Sequence, residues 1–419
     1  MQRTSLSLAI VLVSITSQAS AGGFALNEQS ISAAGTANAG RVSAVLDAST
    51  VYNNPAAMMQ LKQAQFTQAV AFIDAQSKIT NASGGLPGGT TEGDIVPHTF
   101  VPSGYYSSGD KGGWAWGVAA YGSFGLKTNY ESTFAGIQYG DKSDVKVMTV
   151  QPTLSFRMTD SVSVGVGPTI NKLTAFLSAD PDTAAGPLPN VELEGDDLGY
   201  GYNIGVHAKL TEQTQAGLVY RSKVDYKITD GDIRNFPVPG LGLLNVKAQT
   251  KLTTPESVEL GLSHQLTSAT QLHAGAVWTR WSRLKSLNVT ANGSGIPGVD
   301  PAISQAVSEE FEWKDVWGFA TGISHAYNDK LTVRAGLAVD QSPVTEEHLS
   351  VRLPSGDRTI VSLGAGYKLT PNSTIDFSYT YLTEEKRNVD LPGDAPKVPF
   401  AATYKNTASI YGLQFTQRF

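Results

Sequence analysis

Ser263 with His264, the acidic residues Asp180, Asp182, Asp196 and Asp197, and the run Gly136-Ile-Gln-Tyr-Gly-Asp-Lys-Ser143 are where this sequence could carry chemistry. A nucleophilic serine needs a base within hydrogen-bond reach. Neighbours in an extended segment point to opposite faces, so Ser263 and His264 cannot share a proton directly. No Gly-x-Ser-x-Gly elbow occurs, and the six histidines are scattered. The Gly136–Ser143 run departs from a phosphate loop because an extra Asp intervenes and a strand pattern follows where a helix is required. The four aspartates could hold a divalent ion in a long loop, or form an ordinary solvated acidic loop. The chain therefore reads as a non-enzyme, with no cofactor and no metal centre expected.

The elements that would position these residues are strands. From Leu198 to Leu210, Leu198, Tyr200, Tyr202, Ile204, Val206, Ala208 and Leu210 alternate with Gly199, Gly201, Asn203, Gly205, His207 and Lys209. That is period two, with one apolar face. The pattern returns from Gln215 to Ile228, and again over 331–339, 361–369 and 375–381. About fourteen such segments follow Phe66. Short links near Gly109, Asp160, Glu212, Ser268, Asn328 and Pro371 alternate with long ones around Gly85, Ala135, Gly186, Pro237, Gly298, Pro354 and Pro396. An even-numbered up-and-down barrel with one rim of turns and one of loops reads this way. Candidates for its aromatic girdles are Trp278, Trp317, Phe319, Tyr367, Phe377, Tyr379, Tyr381, Tyr411 and Phe415. The expected fold class is thus all-β: a transmembrane antiparallel β-barrel of about 14 strands spanning residues 63–419.

Composition narrows the setting. The chain has no Cys, which removes disulfide frameworks and thiolate sites together. A net charge of -6 with pI near 5.6 argues against a nucleic-acid partner. No 18-residue apolar run exists beyond the extreme N-terminus, so helical membrane spans are excluded. That terminus has Arg3, an apolar stretch from Leu6 to Ile15, and then Ala19-Ser-Ala21. The three-part pattern predicts a secretory signal peptide over 1–21, cleaved after Ala21.

Residues 22–62 are rich in Ala, Ser, Gly and Asn, belong to no strand, and are too few to build a core. They are either a disordered arm or a plug inside the barrel. Asn54-Pro55 favours a fixed turn. A lumen lined with Gly, Asn, Gln and Lys could satisfy irregular backbone that lipid could not.

Gly23-Phe-Ala-Leu-Asn-Glu-Gln29 and Asn54-Pro-Ala56 resemble the start of the mature long-chain fatty acid transporter (FadL) family of outer-membrane proteins. Further matches are Tyr121-Gly-Ser-Phe-Gly-Leu126, Val219-Tyr-Arg-Ser222, Trp278-Thr-Arg-Trp-Ser282, Trp313-Lys-Asp315 and Ala338-Val-Asp-Gln-Ser-Pro343. The closing strand, which ends in Phe419, also matches. The resemblance implies an N-terminal hatch containing Phe24, Asn27, Glu28, Asn54, Pro55 and Ala56. It implies passive uptake of a hydrophobic ligand through the Gram-negative outer membrane, with a barrel assembly machinery and outer-membrane lipid as partners. Release would run sideways beside a kinked third strand at Gly122, Ser123, Phe124 and Gly125. Two glycines inside a strand mark a bulge on physical grounds alone.

Family members place basic groups near the ligand carboxylate, whereas Thr174–Ala179 here has none. Lys172 and Lys314 are the remaining candidates for that contact. Long-chain fatty acids are the expected cargo. The alternatives are uncharged aromatic hydrocarbons, as in the toluene-uptake (TodX) branch, or a general porin.

Overall fold

The computed structural model describes residues 23–91, 95–181, 188–393 and 397–419. The signal segment 1–21 and Asp182 lie outside the described residues.

Fourteen antiparallel strands follow one another in chain order. They are β1 (Gln65–Gly84), β2 (Thr99–Ser107), β3 (Trp114–Asn129), β4 (Lys142–Arg157), β5 (Val162–Ala179) and β6 (Val191–Lys209). Next come β7 (Thr214–Arg221 continued by Val224–Val238) and β8 (Gly242–Thr254 continued by Ser257–Gln265). The circuit ends with β9 (Thr270–Thr279), β10 (Val316–Ala326), β11 (Leu331–Asp340), β12 (Arg358–Thr370), β13 (Ser373–Glu384) and β14 (Phe400–Arg418). β14 pairs with β1 from Gln65↔Arg418 to Gly84↔Phe400, so the sheet closes on itself. Closure removes the unpaired edges that an open sheet would leave.

The period-two pattern is turned inside out relative to a soluble protein. Leu198, Tyr200, Tyr202, Ile204 and Val206 of β6 are exposed on the outer wall, whereas Asn203 and His207, on the alternate face, are buried. β5 repeats this, with Val166 and Ile170 outward and Ser163, Thr169 and Asn171 inward. An apolar outer band over a polar interior is the arrangement a barrel in lipid requires. Exposed Trp114, Trp116, Trp317, Phe319, Tyr367, Tyr411 and Phe415 contribute its aromatic residues.

Tight turns lie on one rim and most long links on the other. The link around Pro237 differs from the expected loop. β7 and β8 stay paired as far as Val238↔Gly242 and turn over 239–241, forming a hairpin that stands above the wall. Register breaks between Ile228 and Gly231 and between Ile233 and Phe236 interrupt its alternation. The helix Val299–Val307 packs Ile303 against this hairpin at Ile233, Val246 and Ala248.

Residues 23–62 run through the lumen and enter β1 at the short-turn rim. The segment holds two single-turn helices (Ile31–Ala34 and Thr50–Asn53) and a 3-10 helix (Pro55–Gln60). Ile31, Val42, Ala48, Val51, Asn54, Ala56 and Met58 are fully buried against the wall. Glycines make that contact possible. A Cβ at Gly217 would stand 1.8 Å from the Val42 carbonyl oxygen, and one at Gly205 2.1 Å from Asn54 Oδ1. Only a residue without a side chain admits a second backbone this close.

Candidate functional site

The wall closes incompletely at the seam between β2 and β3. β3 pairs with β2 only from Ser107↔Gly117 to Ser103↔Tyr121. Beyond it, Gly122 faces Met148 on β4 and Phe124 faces Val147, so Ser123 is the extra residue of a bulge. β2 continues through Val101, Phe100 and Thr99 bonded to β1 alone. The expected bend over Gly122–Gly125 falls on this bulge, and the incomplete pairing with β2 lies beside it.

Above the bulge, the free edge of β3 is bonded by the N-terminal segment. Gly125 donates its backbone N–H to the Phe24 carbonyl at 2.8 Å, and Leu26 donates to the Ser123 carbonyl at 3.1 Å. Ala25 and Phe124 are thereby paired as an isolated antiparallel bridge. Gln29 Nε2 donates to the Gly122 carbonyl at 2.9 Å, and its own carbonyl accepts from Tyr105 Oη at 2.5 Å. The Leu26 side chain fills the space over Gly122 and Gly125, where added Cβ atoms would lie 3.2 and 3.4 Å from its Cδ1.

Two cavities meet behind this seam. One, of about 300 Å³, lies between the N-terminal segment and the wall and reaches Gly125–Thr128 of β3 and Ile73 and Ala75 of β1. The other, of about 110 Å³, is walled mainly by apolar side chains such as Leu173, Leu193, Ile228, Leu252, Leu284 and Trp313. Phe24, Leu126, Arg352 and Leu353 line both. The Phe24 ring sits 5.6 Å from Phe124, 5.1 Å from Trp281 and 5.9 Å from Trp313, in the tilted and edge-on geometries that aromatic pairs favour. Phe24 thus belongs at once to the cavity partition, to the aromatic cluster and to the strip sealing β3.

Polar contacts fix the rest of the segment. Asn54 donates from Nδ2 to the carbonyls of Val42 (2.7 Å) and Val206 (3.0 Å), and its Oδ1 accepts from Ala56 N at 3.1 Å. Pro55 and Ala56 lie against Gly165. Arg41 Nε meets Glu259 at 2.6 Å and Arg221 meets the same carboxylate at 2.8 Å. Arg221 also donates to the Tyr52 and Asn53 carbonyls. Asn27 donates its backbone N–H to the Glu28 carboxylate at 2.8 Å and accepts from Asn38 Nδ2 through its carbonyl at 3.2 Å. Glu28 lines the larger cavity. Enclosure pushes its carboxyl up from 4.5, an effect that backbone N–H groups and the Arg358 and Arg41 charges oppose.

Ser263 does meet a histidine, though not His264. Its Oγ lies 3.0 Å from Nδ1 of His273 across the β8–β9 pair and 2.8 Å from Ser43 Oγ. His273 Nε2 bonds Ser324 Oγ at 3.0 Å, where a catalytic triad would place a carboxylate on one imidazole nitrogen. Ser263 is fully buried under the N-terminal segment, and the chain of bonds ties that segment to the wall. A partner across a hairpin leaves no trace among sequence neighbours, which is why Ser263 and His273 do not stand out together in the sequence.

The structure does not bring the two candidate lysines to the cavities. Lys172 projects from the outer side of β5, beyond Ile170, and is ion-paired with Asp196. Lys314 is exposed and lines neither cavity. The alternation of β5 gives the reason: Lys172 shares a face with Val164, Val166 and Ile170. Among the described residues, the basic side chain that lines both cavities is Arg352, from the β11–β12 link, a stretch with no periodicity to flag it. The aspartates also separate: Asp196 faces Lys172, and Asp197 accepts from the backbone of Lys227. Among the described residues no three His, Cys, Asp or Glu side chains cluster as metal ligands would.

Known proteins share both sequence and fold with this chain. A family model described as outer membrane protein transport protein (OMPP1/FadL/TodX) matches residues 12–419. Outer membrane protein P1 of Haemophilus influenzae is 29% identical over 466 residues, covering 98% of each chain. The 47 kDa outer membrane protein of Pasteurella multocida is 30% identical over 439 residues, covering 98% of this chain and 97% of that one. The long-chain fatty acid transport protein of Escherichia coli (strain K12) is 25% identical over 458 residues, covering 99% and 98%. Among solved structures, a Pseudomonas aeruginosa FadL homologue superposes with a TM-score of 0.82 at 22% identity, over 95% of this chain and 100% of that one. The Pseudomonas putida toluene transporter TodX gives a TM-score of 0.67 at 18% identity, over 94% and 99%. At these identities the structural likenesses establish the fold.

Proposed function

Because this chain belongs to the outer membrane protein transport family (OMPP1/FadL/TodX), we propose that it carries long-chain fatty acids inward through the outer membrane. It is an outer-membrane transport protein for hydrophobic compounds and not an enzyme. In the proposed cycle, the long loops pass the ligand to the apolar cavity beside Trp313. Residues 22–62 act as a hatch. Withdrawal of Phe24–Leu26 from β3 then joins the cavities to the seam beside β2, and the ligand leaves sideways into lipid.

The bonding of β3's free edge by the N-terminal segment carries this reading. It puts the closure of the wall and the partition between the cavities on the same three residues. The energetics suit a passive step. Surface kept from water is worth about 25 cal/mol per Å², so a greasy chain moving from cavity to bilayer avoids rehydration. The seal consists of two backbone hydrogen bonds, each worth on the order of 1 kcal/mol net, plus the contacts of Leu26 and Phe24.

A second reading is supported by the aromatic lining at Phe24, Phe311 and Trp313. Such a wall also suits an uncharged monoaromatic molecule, and TodX is described as a toluene transporter. Uptake of labelled oleate and labelled toluene, measured in a host lacking its own transporter, separates the two. Oleate entry supports the fatty-acid reading, and toluene entry alone supports the second. Entry of neither above the empty host contradicts both.

A further inference from the structure

The outer wall carries a basic patch where β7, β8 and β9 rise above the apolar band. Within the band the outward residues there are Leu218, Leu260, Trp317 and Phe319. Above it, Lys227 of β7 and Lys251 of β8 stand directly opposite each other in the ladder. Their neighbours Ile228, Thr250 and Leu252 line the apolar cavity, so both lysines point outward, and both are exposed. Neither is ion-paired among the described residues. Like charges at directly opposed positions repel, so the pair is completed by an anion between them.

Two arginines extend the patch. Arg280 directly follows β9, and Arg283 comes three residues later. Both bond Glu256, whose side chain is 7% exposed: Arg283 through Nε (3.0 Å) and Nη2 (2.8 Å), Arg280 through Nη1 (3.3 Å). A covered carboxylate thus holds two half-exposed guanidinium groups in place. Arg283 also acts on Asp225 and Tyr220, which sets it beside the lysines. The carboxylates nearby are engaged. Lys223 Nζ (2.6 Å) and Thr253 Oγ1 (2.8 Å) hold Asp225, Asp197 accepts from the Lys227 backbone at 2.6 Å, and Asp315 accepts from the Ser282 backbone at 3.0 Å. In a chain of net charge -6, this leaves a local group of cations without enough acids to occupy them.

We infer that Lys227, Lys251, Arg280 and Arg283 bind the phosphate groups of a phosphorylated glycolipid in the outer leaflet. Its acyl chains lie on the apolar band below, and its phosphates reach the cations at the edge of that band. Arginine meets phosphate through planar donors and lysine as a point charge, so the patch supplies both kinds of contact. A lipid held there braces the root of the β7–β8 hairpin, whose inner face walls the apolar cavity. The site lies outside the lumen and does not depend on which cargo the lumen carries.

The test is binding of fluorescent diphosphoryl lipid A, of its fully dephosphorylated form and of phosphatidylglycerol to the purified full chain in detergent micelles. Wild type is expected to bind the diphosphoryl form about tenfold or more tightly than either of the others. Lys227→Gln/Lys251→Gln is expected to lose most of that preference, whereas Lys330→Gln/Lys368→Gln, on the tight-turn rim, should keep it. A measurement on wild type alone stands beside the variants: raising salt to about 0.5 M should weaken the diphosphoryl form and leave the dephosphorylated form unchanged. A wild type that binds all three lipids alike or not at all, a preference that survives in Lys227→Gln/Lys251→Gln, or one that salt does not weaken would overturn the inference. Phosphatidylglycerol bound as tightly as the diphosphoryl form would mean that the patch holds any anionic lipid, and would overturn the glycolipid assignment.

Discussion

Gly125 on the third strand donates its backbone N–H to the carbonyl of Phe24, near the start of the described chain, at 2.8 Å. A strand edge that would otherwise pair with β2 is closed by a segment belonging to no strand. Because β2 leaves β3 at Tyr121, no described strand pairs with β3 in place of Phe24–Leu26 if they move away. In the proposed cycle these residues would control the side of the barrel as well as its bore, and their attachment becomes the quantity to measure.

Glu259 is the first lever on that attachment. Its carboxylate serves both Arg41 of the hatch and Arg221 of the wall, and its side chain is 7% exposed. Glu259→Ala leaves two guanidinium groups uncompensated, a change that costs about 3–5 kcal/mol when a buried pair is broken. Amide exchange over residues 38–54 is expected to quicken by about a hundredfold or more, with the barrel strands much less affected. Unchanged exchange there would show that the network does not hold the hatch.

Gly217 tests the close approach of hatch to wall. A methyl group there would stand 1.8 Å from the Val42 carbonyl oxygen, whereas one at Gly104 meets nothing within 4 Å. Gly217→Ala is expected to leave the barrel assembled and residues 23–62 open to limited proteolysis. Gly104→Ala should behave as wild type. Equal protease resistance in the two variants would contradict the packing described.

Glu28 supplies a pH dependence with a definite sign. Its carboxyl is raised above 4.5 chiefly by enclosure, so the seated hatch favours the protonated form. The stabilising contribution is present below pH 4.5 and is lost as pH rises through the higher value of the folded state. Glu28→Gln removes the cost of the desolvated charge. Its hatch should exchange more slowly than wild type at pH 7, and the two should converge near pH 4. The opposite order at pH 7 would mean that Arg358 and Arg41 outweigh the burial.

How much of this was legible beforehand depended on where period two survived. β6 was readable because Leu198 to Val206 keep one apolar face, and that face proved to be the outer one. The orientation of Lys172 was equally available, since it falls in step with Val166 and Ile170. The β7–β8 hairpin was not readable, because bulges near Gly231 and Asn235 shift the alternation. Pairings across space left no local trace. Ser263 with His273, Arg221 with the carbonyls of Tyr52 and Asn53, and Phe24 with Gly125 all depend on register or on a buried turn. Arg352 lies in a link without periodicity, so its position at the cavity junction comes from the structure alone.

The central claim is that the cargo leaves only when Phe24–Leu26 detach from β3, and a removable lock tests it most directly. Ala25 and Phe124 oppose each other in an antiparallel bridge whose flanking residues carry the hydrogen bonds. Such pairs have Cα atoms about 4.5 Å apart, within disulfide range. The chain has no cysteine to interfere. In the Ala25→Cys/Phe124→Cys variant, oleate uptake is expected to fall to the empty-host level when oxidised and to return on reduction, with each single variant insensitive to oxidant. Undiminished uptake through the oxidised, cross-linked protein would contradict the account.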